Sequence, residues 1–122
     1  MGLFSGGSCD LVGMVHLKPL PGSPGWAGDM NAIESAALRD AAVLIEGGCD
    51  ALIVENMGDA PYLRSRVLPE TVAAMARVVG EVVKLGLPTG VQVLAGANVE
   101  ALGVAVAAQA HFIRVEGFAY GH

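Results

Sequence analysis

Seven side chains carry most of the chemistry this sequence can offer: His16, Glu55, Asn56, Gln92, Asn98, Arg114 and Glu116. His16 can give or take a proton near neutral pH. Glu55 and Glu116 can act as bases, bind hydroxyls or hold a cation. Arg114 can grip a carboxylate or phosphate through two parallel hydrogen bonds. The three carboxamides can orient a polar ligand. We take His16, Glu55 and Glu116 as candidate catalytic residues, and Gln92, Arg114, Asn56 and Asn98 as candidate substrate-binding residues. No local motif unites them. The chain has no H-E-x-x-H, G-x-G-x-x-G, Walker or G-x-S-x-G signature, and no metal-ligand spacing. What they share is position, since most stand at or just beyond the end of a short apolar run.

Those runs define the elements. "LVGMVHL" (11–17) reads as a strand, because Pro19 leaves no room for a helix. Asp29 or Asn31 can cap a helix from about Ala32 to Glu46, ended by Gly47 and Gly48. "ALIVE" (51–55) is the second strand. Pro69 and Glu70 suit the first turn of a second helix, with Val72, Met75, Ala76, Val79, Val82 and Val83 as its apolar stripe. Gly86 and Pro88 stop it. Gly90–Leu94 is the third strand, Asn98 can cap a third helix over Val99–Gln109, and Phe112–Glu116 is the fourth strand. "GGCDALIVEN" and "AQAHFIRVEG" form a weak internal repeat. Strands separated by helices run parallel with right-handed crossovers. The βαβαβαβ order therefore fits a doubly wound sheet or half of a barrel, since a complete (β/α)8 barrel takes about 250 residues.

Side-chain alternation divides the strands into two faces. Val15, Leu52, Val54, Val91, Val93, Ile113 and Val115 are apolar and suit packing against helices. His16, Glu55, Gln92, Arg114 and Glu116 fall on the opposite face. Ionisable groups are costly to bury unless paired or solvated, so their gathering on one face predicts a polar cavity at the carboxyl ends of the strands. The same row has a purely structural reading: Arg114 can neutralise Glu116 or reach Glu55.

The loops add weaker signals. "KPLPGSPGWAGD" reads as a stiff lid, with Trp26 either closing the mouth or packing on its rim. In "ENMGDAPYLRSR", Asp59, Tyr62, Arg64 and Arg66 read as exposed candidates for binding an anionic group. "LAGAN" places Gly96 and Asn98 at a helix N-terminus, where free N–H groups can hold an anion.

Composition narrows the function classes. Of 122 residues, 53% are hydrophobic and only 16% charged. The mean hydropathy is +0.55. Seven scattered basic residues against twelve acidic ones give a formal charge of −5, with no electrostatic footprint for nucleic acid or an anionic membrane. No apolar run is long enough to span a bilayer. No targeting peptide is visible before Lys18. Cys9 and Cys49 read as reduced thiols of an intracellular, soluble protein, cytoplasmic by default. No cofactor is implied by any motif.

"VGMVHLKPLPGSP", "ALRDAAVLIEGGCDALIVENMGDAPY", "PETVAAM" and "FIRVEG" together resemble the BtpA family, over nearly the whole chain from Leu11 onward. The resemblance implies a TIM barrel related to phosphate-binding barrels. The family's namesake is tied to photosystem I accumulation in cyanobacteria, and no reaction is general to the family. Many bacterial members read "GVNVLRND" where this chain has "GVQVLAGAN". Family members are about twice as long, so the resemblance makes residues 1–122 a single partial domain: the N-terminal half of a (β/α)8 barrel, as a fragment, an isoform, or one of two copies closing a barrel. Its open edges would then self-associate.

Overall fold

The computed structural model describes residues 10–59 and 67–115. Four strands, β1 (Val12–His16), β2 (Ala51–Glu55), β3 (Thr89–Gln92) and β4 (Phe112–Ile113), alternate with three α-helices. The helices are α1 (Met30–Glu46), α2 (Pro69–Val83) and α3 (Asn98–Ala108), with a short 3₁₀ turn at Met57–Asp59. The strands form one parallel sheet in the order β1-β2-β3-β4. Each crossover is a helix, which is what places consecutive strands side by side and parallel.

Local chemistry explains the helix limits. Asp29 caps α1, its carboxylate accepting a 3.1 Å hydrogen bond from the Ala32 N–H. The chain leaves α1 through Gly48 at φ +98°, a conformation that suits glycine. Pro69 opens α2, where its missing N–H costs nothing. Asn98 is the first residue of α3 rather than its cap; Ala97 holds the cap position without a side-chain hydrogen bond. The expected cap fails because the turn before α3 is closed by backbone bonds, Ala97 N–H to Val93 O and Asn98 N–H to Gly96 O.

The core lies between the sheet and the helices. Val15, Leu52, Val54, Val91 and Val93 pack outward from the strands against Ile33, Ala37 and Ala41 of α1, Met75, Val78, Val79 and Val82 of α2, and Ala101 and Val104 of α3. Full burial of a Val or Met side chain stabilises by roughly 1.5–3 kcal/mol, so this layer fixes which face of every strand is covered. The alternate residues are thereby committed to the other face.

Candidate functional site

The strand register sets the site. His16 pairs with Glu55, and Glu55 with Gln92. Gly90 pairs with Phe112 and Val91 with Ile113. Arg114 follows directly, its N–H donating to Val91 O at 2.9 Å. His16, Glu55, Gln92 and Arg114 thus form one row across the carboxyl ends of four parallel strands, on the face the helices leave uncovered. Glu116 lies outside the described residues, as do Tyr62, Arg64 and Arg66.

Within the row, the tightest contact is between His16 and Glu55. Nε2 of His16 stands 3.0 Å from Oε1 of Glu55. The Glu55 side chain is only 6% exposed, whereas that of His16 is 48% exposed. A carboxylate oxygen only accepts, so this contact assigns an Nε2–H to His16 as the donor. The buried carboxylate has the partner that burial demands. Gln92 is buried on the next strand, and Arg114 is exposed at the sheet's far edge. Among the described residues no ion pair involves Arg114, and no three His, Cys, Asp or Glu gather as a metal site.

Asn56 follows β2 and is fully buried. Its Oδ1 accepts from the Leu94 N–H at 2.6 Å, and its Nδ2 donates to Leu94 O and to Asp59 Oδ2, each at 3.2 Å. Its carboxamide is spent on the protein, so its geometry is that of a loop clasp. Asp59 is not exposed, as the sequence suggested, but 7% accessible. Its Oδ1 accepts from the Leu20 N–H at 2.7 Å. Asn56 and Asp59 therefore tie together the loops that follow β1, β2 and β3. Sequence reasoning missed this clasp; the signal available was a carboxamide and a carboxylate three residues apart directly after a strand, in "ENMGD".

The proline-rich loop after β1 is tethered to its neighbours. Leu20 is fully buried, and the hydroxyl of Thr71 on α2 donates to Pro21 O at 2.7 Å. Gly58 donates to Leu17 O at 3.1 Å, and a Cβ at Gly58 would lie 2.6 Å from that same oxygen. Trp26 packs against the core. Asn98 stands at the start of α3 beyond Gly96, which has φ +72°. A cavity of about 280 Å³ borders the outer edge of β1, lined by Met14, His16, Asp40, Val43 and Leu44.

Comparison with known proteins bears on both fold and family. A chain of dihydropteroate synthase from Anaplasma phagocytophilum, crystallised with 6-hydroxymethylpterin-monophosphate, superposes with a TM-score of 0.57 at 22% identity. The match covers 78% of this chain and 37% of that one, so the fold is α/β with four parallel strands, like part of a TIM barrel. An uncharacterised protein of Thermococcus kodakarensis is 45% identical over 90% of this chain and 43% of its own length. An uncharacterised Caenorhabditis elegans protein, named as mitochondrial, is 42% identical over 92% of this chain and 43% of its own. The photosystem I biogenesis protein BtpA of Synechocystis is 42% identical over 86% of this chain and 37% of its own. The chain spans about two fifths of the length of these relatives. No helix among the described residues is long and apolar enough to cross a membrane. The BtpA family model matches residues 8–121, and the chain belongs to the BtpA family.

Proposed function

We propose that the row His16–Glu55–Gln92–Arg114 is part of a small-molecule site that acts on a polar, anionic metabolite such as a sugar phosphate or nucleotide. The observation that carries this reading is the His16–Glu55 pair. The buried carboxylate contacts the imidazole at Nε2, and the half-exposed His16 is the general base. The Glu55 carboxylate beside the ring orients it for proton transfer. Gln92 offers a carboxamide one strand further on. Arg114 is the anion clamp, three strand spacings from His16, or about 14 Å at about 4.8 Å per strand. Glu116 is the second candidate carboxylate in this reading. Asn98, at the start of α3, is a further polar contact for the anion.

A second reading is favoured by the similarity to the Synechocystis photosystem I biogenesis protein. In it the row is structural, and the protein is a non-catalytic assembly or regulatory factor. Thermal-shift screening of the chain against sugar phosphates and nucleotides separates the two. A stabilising ligand whose effect disappears in His16→Ala and in Arg114→Ala supports the small-molecule site. Absence of any stabilising ligand, with a protein partner retained by both variants, overturns it.

A further inference from the structure

We infer that Lys18 is a further ligand-binding residue of the site, its ammonium taking a phosphate group of the ligand at the mouth beyond His16. The inference deepens the small-molecule reading and rests on it.

β1 ends at His16, but its pairing runs one residue further, since the Leu17 N–H donates to Glu55 O at 3.0 Å. The alternation of side chains runs on with it. Val15 and Leu17 are buried in the core, at 0% and 3% exposure, while His16 and Lys18 are exposed. Parity therefore puts Lys18 on the same face as His16. Two residues of extended chain separate their Cα atoms by about 7 Å, against about 14 Å from His16 to Arg114. Of the two basic residues on this face, Lys18 is the nearer to His16.

The backbone that carries Lys18 is held before any ligand arrives. Leu17 O accepts from the Gly58 N–H at 3.1 Å. Gly58 lies so close to this stretch that an added Cβ would meet the Leu17 oxygen at 2.6 Å, the Pro19 nitrogen at 2.7 Å and the Lys18 carbonyl carbon at 2.9 Å. Two residues on, Leu20 is fully buried, and its N–H donates to Asp59 Oδ1 at 2.7 Å. The turn after β2 thus grips the chain on both sides of Lys18 while the side chain stays exposed. With the backbone fixed, only side-chain rotamers remain to be ordered when an anion binds.

The distribution of charge singles out the same residue. Of the basic residues described, Arg77 pairs with Glu34 and Lys84 with Glu81, and Arg39 lies on α1. The others, Lys18 and Arg114, both stand just past the carboxyl end of a strand. Among the described residues no ion pair involves Lys18, and the Glu55 carboxylate is in contact with His16 instead. The chain as a whole carries a formal charge of −5, so its carboxylates outnumber its cations. An ammonium that none of the described carboxylates engages is available to an anion from solution, and lysine binds phosphate as a point charge.

The test is competitive acetylation of the intact chain with acetic anhydride, read by peptide mass spectrometry. Lys18 and Lys84 are the two lysines of the chain, and Lys84, bonded to Glu81 on α2, is the internal control. Only a neutral amine is acylated, so phosphate bound to the Lys18 ammonium slows its reaction. Inorganic phosphate is expected to slow Lys18 by at least about threefold relative to Lys84 once its concentration exceeds the Kd, where sodium chloride of equal ionic strength does not. A Lys18-to-Lys84 ratio that phosphate leaves unchanged overturns the inference. So does a sugar phosphate whose stabilisation is lost in His16→Ala and Arg114→Ala but kept in Lys18→Met, a result that leaves the small-molecule site standing without Lys18. Loss in Lys18→Met with retention in Lys18→Arg supports the ammonium as the contact.

Discussion

The Asn56 carboxamide hydrogen-bonds both the N–H and the C=O of Leu94, holding the loop after β3 as a neighbouring strand would. Through Asp59 the same side chain is linked to the Leu20 N–H in the loop after β1. The row of polar side chains at the strand ends therefore rests on a frame outside the sheet itself. Replacing Asn56 by Ala leaves the Leu94 groups and one Asp59 oxygen unsatisfied in a buried setting. At about 1–3 kcal/mol per orphaned group, offset in part by relaxation, the expected loss is about 3 kcal/mol. Urea unfolding measures it; a loss below about 1 kcal/mol would show that the loops are held by other contacts.

Asp59 makes stability depend on pH. Burial raises its pKa above the ordinary carboxylate value, against the lowering influence of hydrogen bonds from Leu20 and Asn56. A folded-state pKa above the unfolded one means that the protonated acid is favoured on folding. Its contribution is fully present below the unfolded value of about 3.9 and is lost as pH rises through the folded value. Asp59→Asn cannot titrate, so the difference in unfolding free energy between wild type and variant should shrink as pH climbs through that window. A pH-independent difference would mean that the carboxyl does not titrate on folding. The variant itself should be less stable by about 1–3 kcal/mol near pH 4, because its amide sets a donor against a donor.

Gly90 and Phe112 are register partners, and the Phe112 ring lies where a Gly90 side chain would be. Gly90→Ala therefore forces the ring out of its place on the interior face. Overpacking of this kind costs about 1–3 kcal/mol. Phe112→Ala makes room for the methyl, so the double variant should be more stable than the two single losses added together. Strict additivity in a double-mutant cycle would contradict the contact.

Glu55→Gln tests the polar row against the fold. Removing a buried charge whose partner is half exposed relieves desolvation, so stability should be unchanged or raised by up to about 1 kcal/mol. In the same variant the His16 ring loses its fixed orientation, and nitrogen-15 chemical shifts should show a mixture of tautomers where the wild type shows Nε2–H. A wild-type spectrum with the proton on Nδ1 would rule out the donor assignment made from the 3.0 Å contact.

Most of the fold was legible in the sequence. Apolar runs of five to seven residues, separated by stretches with helical periodicity, leave little choice but parallel strands and crossover helices, and β2 is found at Ala51–Glu55 as read. Alternation within each run also assigned His16, Glu55 and Gln92 to one face, because a side chain's face depends only on its parity along the strand. The sequence could not decide how far each polar group is buried, or what it touches. Asp59 reads as a surface carboxylate, since nothing near it in the chain says that Leu20, 39 residues away, will present an N–H to it. Asn56 reads as a ligand for the same reason, its bond to Leu94 spanning 38 residues. Parity and period are short-range and follow from the backbone alone; desolvation and hydrogen-bond partnership exist only once distant segments are brought together, and that was left to the tertiary structure.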